Sequence, residues 1–223
     1  MEVTIRLFAM LRERAGAGAV TLDLPWGARV ADAVDALGDV AAGLPLVMAV
    51  NREYAPEDRV LDPGDELALI PPVSGGEGAA ADPSVSAVRA YARVTERPLS
   101  IEALAARVRD PRAGAIVTFT GVTREVERLE YEAYVEMAQE RIAALVAEAV
   151  EDHGLCAAAC EHRVGAVALS EPSVAVACSA PHRGEAFAGA REIIDRVKAE
   201  APIWKREVAG GERRWVEGRL PGA

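Results

Sequence analysis

Lysine is nearly missing from this chain. Of its 25 basic residues, 23 are arginine and only Lys198 and Lys205 are lysine. Arginine does not give up its proton, whereas an amine can become a base or a nucleophile. Either these two positions need an amine or they have kept one by chance, and the count alone does not decide between the two. Cysteine is scarce as well. Cys156, Cys160 and Cys178 are too few, and odd in number, for a disulfide framework, so a reducing cytoplasm is the simplest compartment. No apolar run approaches the roughly 20 residues of a membrane span. The opening Met1-Glu2-Val3-Thr4-Ile5-Arg6-Leu7 alternates like a strand and is not a signal peptide. Positive charge is in deficit: the net charge of -10 argues against a nucleic-acid surface.

What is present suffices for a core, since 51% of the 223 residues are hydrophobic. The acidity is concentrated early. Residues 1–76 carry 6 Arg against 12 Asp and Glu, which suits docking onto something basic or serves solubility. The small, polar stretch Ser74-Gly75-Gly76-Glu77-Gly78-Ala79-Ala80-Ala81-Asp82-Pro83 reads as a break between two domains, with 77–83 as linker. Before it, the pattern predicts strand 2–8, a short helix near 9–14, strand 19–24, helix 29–37, and strands 46–50 and 66–70. Asp62-Pro63-Gly64-Asp65 forms a turn into the last of these. A small mixed sheet crossed by one helix is the ubiquitin-like β-grasp arrangement. After the break come helix 100–108 with Ser100 as N-cap, strands 114–120 and 128–134, and helix 135–152 stopped by Gly154. Strands 156–163 and 173–180, helix 184–200 and a closing hairpin at 203–207 and 212–217 follow. This second part is an α+β domain.

Four places carry chemistry. Gly75-Gly76 can thread a channel too narrow for other residues, and the tail from Pro71 could extend roughly 20 Å; alone, the dipeptide reads more simply as the start of a linker. Ser179-Ala180-Pro181-His182-Arg183-Gly184 hands a strand to a helix, where backbone N–H groups attract anions and His182 and Arg183 add donors. Arg124 sits just past a strand end and offers a planar fork to phosphate oxygens, or is an exposed loop arginine. Lys198 follows an apolar helix position, and a turn at Pro202 could bring Lys205 back beside it. Two close ammonium groups lower each other's pKa. Cys156-x-x-x-Cys160-x-His162 is explained better by alternation on a buried strand than by a metal site, and Trp204 and Trp215 read as packing residues.

These residues resemble a known family. Leu7-Phe8-Ala9, the helix near 29–37 and the ending Pro71-Pro72-Val73-Ser74-Gly75-Gly76 are similar to the small, sulfur-carrying subunit of molybdopterin synthase. From about 84 to 219 the chain resembles the large, catalytic subunit. The matching runs are Gly114-Ala115-Ile116-Val117-Thr118-Phe119-Thr120-Gly121, Leu129-Glu130-Tyr131-Glu132-Ala133-Tyr134, His162-Arg163-Val164-Gly165, Ala180-Pro181-His182-Arg183, and Lys198 with Ala201-Pro202-Ile203-Trp204-Lys205-Arg206-Glu207.

The resemblance implies a fusion: a β-grasp domain at 1–76 and a catalytic domain at 84–223 of the α/β-hammerhead type. It further implies transfer of sulfur from a glycine thiocarboxylate to cyclic pyranopterin monophosphate, making the dithiolene of molybdopterin. Gly76, with Gly75 before it, would be the sulfur-bearing terminus. Lys198 and Lys205 would be nucleophile or proton-transfer groups, and Arg124, His182 and Arg183 would bind substrate. The large domains would form a homodimer, with His182 and Arg183 serving the opposite protomer's pocket. An ATP-dependent activating enzyme and a sulfur donor would load the carrier. No bound metal or other cofactor is implied, because the product is a metal-free pterin. Two features depart from the family. Gly76 is joined to Glu77, so a protease would have to cut there; an uncut chain would be a non-catalytic carrier or docking protein working with separate subunits. Only Glu125-Val126-Glu127-Arg128 lies between Arg124 and Leu129, where the family usually has a longer, glycine-containing loop.

Overall fold

The computed structural model describes residues 1–72 and 89–216. It divides into two compact units, Met1–Val73 and Ser74–Ala223. Gly75, Gly76 and the linker expected at 77–83 lie outside the described residues.

In the first unit, strand β1 (Glu2–Leu7) buries Val3, Ile5 and Leu7, the alternation seen in its sequence. It pairs antiparallel with β2 (Ala19–Asp23) and parallel with β5 (Glu66–Ile70). Strands β3 (Val47–Val50) and β4 (Glu53–Ala55) extend the sheet to the order β2-β1-β5-β3-β4. A short helix, α1 (Ala9–Ala15), follows β1. Helix α2 (Val30–Ala36) lays Val30 and Ala33 on the sheet, and its Asp32 carboxylate accepts from the Arg29 backbone N–H at 2.7 Å. This is the expected β-grasp. The Met1 ammonium is held by the Asp23 carboxylate at 2.8 Å.

The second unit has two four-stranded sheets. One is ordered β6 (Ala90–Thr95), β9 (Ala157–Arg163), β11 (Pro172–Ala180), β7 (Ala115–Val122). Two 18-residue helices, α4 (Val135–Asp152) and α5 (Arg183–Glu200), cover one face of it. Helix α3 (Ile101–Arg107) covers part of the other through Leu104, packed on Ala159, Ala175 and Ala177. A central strand covered on both faces should read as a continuous apolar run, and β11 is buried from Ser173 to Ala180. The helices follow from their spacing. Ile142, Leu145, Val146 and Ala149 make one buried stripe, Ala186, Ala190, Ile193 and Val197 the other. Ser100 caps α3, its hydroxyl accepting from the Ala103 N–H at 3.2 Å.

The second sheet is ordered β10 (Gly165–Ala168), β8 (Arg128–Ala133), β12 (Ile203–Ala209), β13 (Glu212–Trp215). Strands β4, β6 and β10 were not expected from sequence. In β6 two of the three core-facing positions, Ala90 and Ala92, are helix-favouring alanines, and Val94 alone favours a strand. Its other face carries Tyr91, with the Arg107 guanidinium 4.1 Å from the ring centre. Strands β4 and β10 have three and four residues, too short for alternation to register. No helix among the described residues is long and apolar enough to cross a membrane.

Candidate active site

A cavity of about 690 Å³ in the second unit is lined from both of its sheets and from α5. Arg124 reaches it from the turn after β7, Tyr131 from β8 and His162 from the end of β9. Lys198 arrives from the last turn of α5, and Lys205 from β12. Helix α5 ends where Ala201 turns to extended backbone before Pro202, and β12 then runs back antiparallel to β8, placing Lys205 opposite Tyr131. That reversal brings the two lysines to one wall. Helix α5 also places Lys198 in its last turn, where the macrodipole favours a cation, and its Nζ stands 5.9 Å from the Phe119 ring centre.

Electrostatics set Lys205 apart. Burial pulls its amine below the usual lysine range, and neighbouring Lys198 and Arg124 push the same way against the opposing pull of Glu207. Glu207 in turn pairs with Arg214 at 3.2 Å. Arg124 is fixed by a tight turn. The Thr123 N–H donates to the Glu171 carbonyl at 3.1 Å, the Ser170 N–H to the Thr123 carbonyl at 2.8 Å, and the Leu169 N–H to the Glu127 carbonyl at 3.0 Å. Glu125 takes the left-handed conformation, φ 65°, to close this short connection. Beside it, Gly121 permits close packing: a Cβ there would lie 2.7 Å from a Val174 methyl.

This arrangement brings four basic side chains, one of them a partly buried amine, into one concave space suited to a small anion. Residues 94–200 match the family model of the MoaE protein, and residues 5–76 match that of the ThiS family. The molybdopterin synthase catalytic subunit of Thermoplasma volcanium is 43% identical over 135 residues, spanning 57% of this chain and 98% of that relative. The chain belongs to the molybdopterin synthase family. It is a fusion of a ThiS-type domain with a MoaE-type catalytic domain. The catalytic subunit from Oryza sativa subsp. japonica is 48% identical over 118 residues, 50% of this chain and 61% of that one. Among solved structures, molybdopterin synthase from Staphylococcus aureus superposes with a TM-score of 0.53 at 33% identity, covering 55% of this chain and 94% of its own.

In this chain the cavity gathers three of the expected residues, Arg124, Lys198 and Lys205. His182 and Arg183 are exposed and stand at the start of α5, fifteen residues before Lys198, or about 22 Å along the helix axis. One chain does not bring them to its own cavity. Gly75 and Gly76 lie outside the described residues. Sequence reasoning missed His162, taking it for a strand residue of the core. It is 7% exposed, yet it lines the cavity. The signal was its place at the end of a strand, just before Gly165 turns the chain at φ 78°. Among the described residues, no group of three or more His, Cys, Asp or Glu side chains is placed to hold a metal ion.

Burial, followed by the charges of Lys198 and Lys205, lowers the His162 pKa to about 4, against the opposing pull of the Arg163 carbonyl. The folded state therefore binds fewer protons than the unfolded chain between pH 6.5 and about 4. Stability contributed by neutral His162 is complete above pH 6.5 and lost as pH falls to about 4. Chemical denaturation of the full chain should show a loss of roughly 3 kcal/mol across that window, smaller in His162→Asn. Equal losses in both proteins would mean that His162 titrates normally.

Proposed function

We propose that this chain transfers sulfur from a glycine thiocarboxylate to cyclic pyranopterin monophosphate, building the dithiolene of molybdopterin in two deliveries. The observation that carries this reading is the convergence of the chain's only two lysines, with Arg124, in one cavity of a MoaE-type domain. Arg124 holds the phosphate through its planar fork. Lys205, whose amine burial pushes toward the neutral form, acts as nucleophile or proton-transfer group, with Lys198 beside it. In each delivery the carrier's sulfur bonds to the pterin side chain and water then cleaves the acyl–sulfur bond, leaving the sulfur on the pterin and the carrier as a carboxylate.

The carrier is the ThiS-type domain, with Gly76 as working terminus once a protease has cut the bond to Glu77. Its loading requires an ATP-dependent activating enzyme and a sulfur donor, all in a reducing cytoplasm. His182 and Arg183 complete the pocket of a second copy. In support, β7 is an edge strand with Ile116 44% and Val122 50% exposed, a surface suited to a homodimer. The domain boundaries are those of the sequence reading, 1–76 and 84–223.

The test is reconstitution. Processed protein given ATP, activating enzyme, sulfur donor and cyclic pyranopterin monophosphate is expected to yield the dithiolene-bearing pterin, detected by mass. Failure to form product with a verified thiocarboxylate would overturn the reading. The rival reading is favoured by one fact, that Gly76 is internal to the chain. It predicts a single uncut species working only with separate subunits.

A further inference from the structure

The cavity is rich in hydrogen-bond donors and short of free acceptors. Arg124, Lys198, Lys205 and Arg214 can only donate when protonated. Of the acceptors, the Glu207 carboxylate is paired with Arg214. The Ser173 hydroxyl donates to the Gly121 carbonyl at 3.3 Å and engages Tyr131. Glu125 stands on the exposed turn at the rim. That leaves His162. Its Nδ1 lies 2.9 Å from the Arg163 carbonyl oxygen, which can only accept, so Nδ1 carries the proton. Nε2 of the neutral ring keeps its lone pair. It has no hydrogen-bond partner among the described residues and is not sealed from the cavity. The Tyr131 ring meets the imidazole edge-on, centres 5.2 Å apart at 74°, and fixes its plane.

We propose that His162 Nε2 is the acceptor that reads an N–H or O–H donor on the substrate, making His162 a specificity-determining residue of the cavity. The assignment rests on the pterin reading above. Arginine and lysine recognise charge and would admit any small phosphate; an acceptor set among them admits one that also carries a donor, as a pterin ring does. Burial, with the two lysines adding to it, holds the ring uncharged, so that it accepts rather than repels.

The experiment compares the full chain with His162→Asn and His162→Gln. Asparagine can keep the donor to the Arg163 carbonyl while removing the acceptor at Nε2; glutamine can place an oxygen near the position of Nε2. Two probes are titrated, cyclic pyranopterin monophosphate and inorganic phosphate. The expected result is a pterin Kd and KM raised about tenfold in His162→Asn, phosphate affinity unchanged, and substantial recovery in His162→Gln. Unchanged pterin affinity, or equal loss of both ligands, would overturn the assignment. If His162→Asn does not fold, the wild type still decides. Only His153, His162 and His182 contribute imidazole signals, and the ¹⁵N resonance of His162 Nε2 should move with the pterin and not with phosphate. An Nε2 resonance unmoved by bound pterin overturns the proposal. Wild type that binds phosphate and never the pterin overturns the proposed function itself, and this assignment with it.

Discussion

Lys205→Arg is expected to leave pterin binding nearly intact and to slow sulfur transfer by roughly 10²–10⁴-fold. The substitution preserves charge and hydrogen-bond donors but not the ability to lose a proton. In the folded chain that ability is enhanced, because burial and the nearby charges of Lys198 and Arg124 all favour the neutral amine. Single-turnover assays with preformed carrier thiocarboxylate separate this step from loading. Near-normal single-turnover rates would show that Lys205 supplies only charge, and the argument from lysine scarcity would fail with it. A loss confined to KM would place Lys205 in binding alone.

The second large effect concerns Gly76. Intact chain is expected to show no turnover, because a thiocarboxylate needs a free carboxyl and Gly76 is followed by Glu77. Gly76→Val should abolish activity in the native cell, since a β-branched residue neither threads a narrow channel nor presents the same cleavage site. Adding a separate thiocarboxylated fragment of residues 1–76 should restore product, because the lysine cavity is untouched. Intact-mass measurement on protein from its own cells provides the control: wild type yields a fragment ending at Gly76, with sulfur in place of one terminal oxygen. Full activity of an uncut Gly76→Val chain would remove Gly76 from the mechanism.

Much of this was legible in sequence because the relevant signals are local. The alternation in β1, the apolar stripes of α4 and α5 and the Ser100 cap each specify their element within a few residues. Lys198 and Lys205 were legible for a different reason: rarity marked them, and a proline-bounded turn between them implied proximity. Strand β6 was illegible because alanine carries its core face, and parallel pairing with β9 supplies order that its own sequence does not. His162 was missed because burial and cavity lining coincide there. A residue alternating inward on a strand looks the same whether it meets core or cavity, and only the second sheet, built from β8 and β12, decides which. His182 and Arg183 were recognisable by motif, yet their remoteness from Lys198 follows from helix length and becomes visible only once α5 is drawn to its full 18 residues.

The meeting of both lysines in one cavity has a consequence for self-modification. An activated glycine carboxyl acylates exposed primary amines, and a carrier joined to a lysine-studded surface would cross-link to itself. This chain offers an acyl group only two lysine amines, those of Lys198 and Lys205. Both stand on the wall of the cavity. On the function proposed above, isopeptide formation with a lysine is therefore confined to the cavity that the glycine terminus would enter, and a lysine-selective acylating reagent applied to the folded protein would label that cavity.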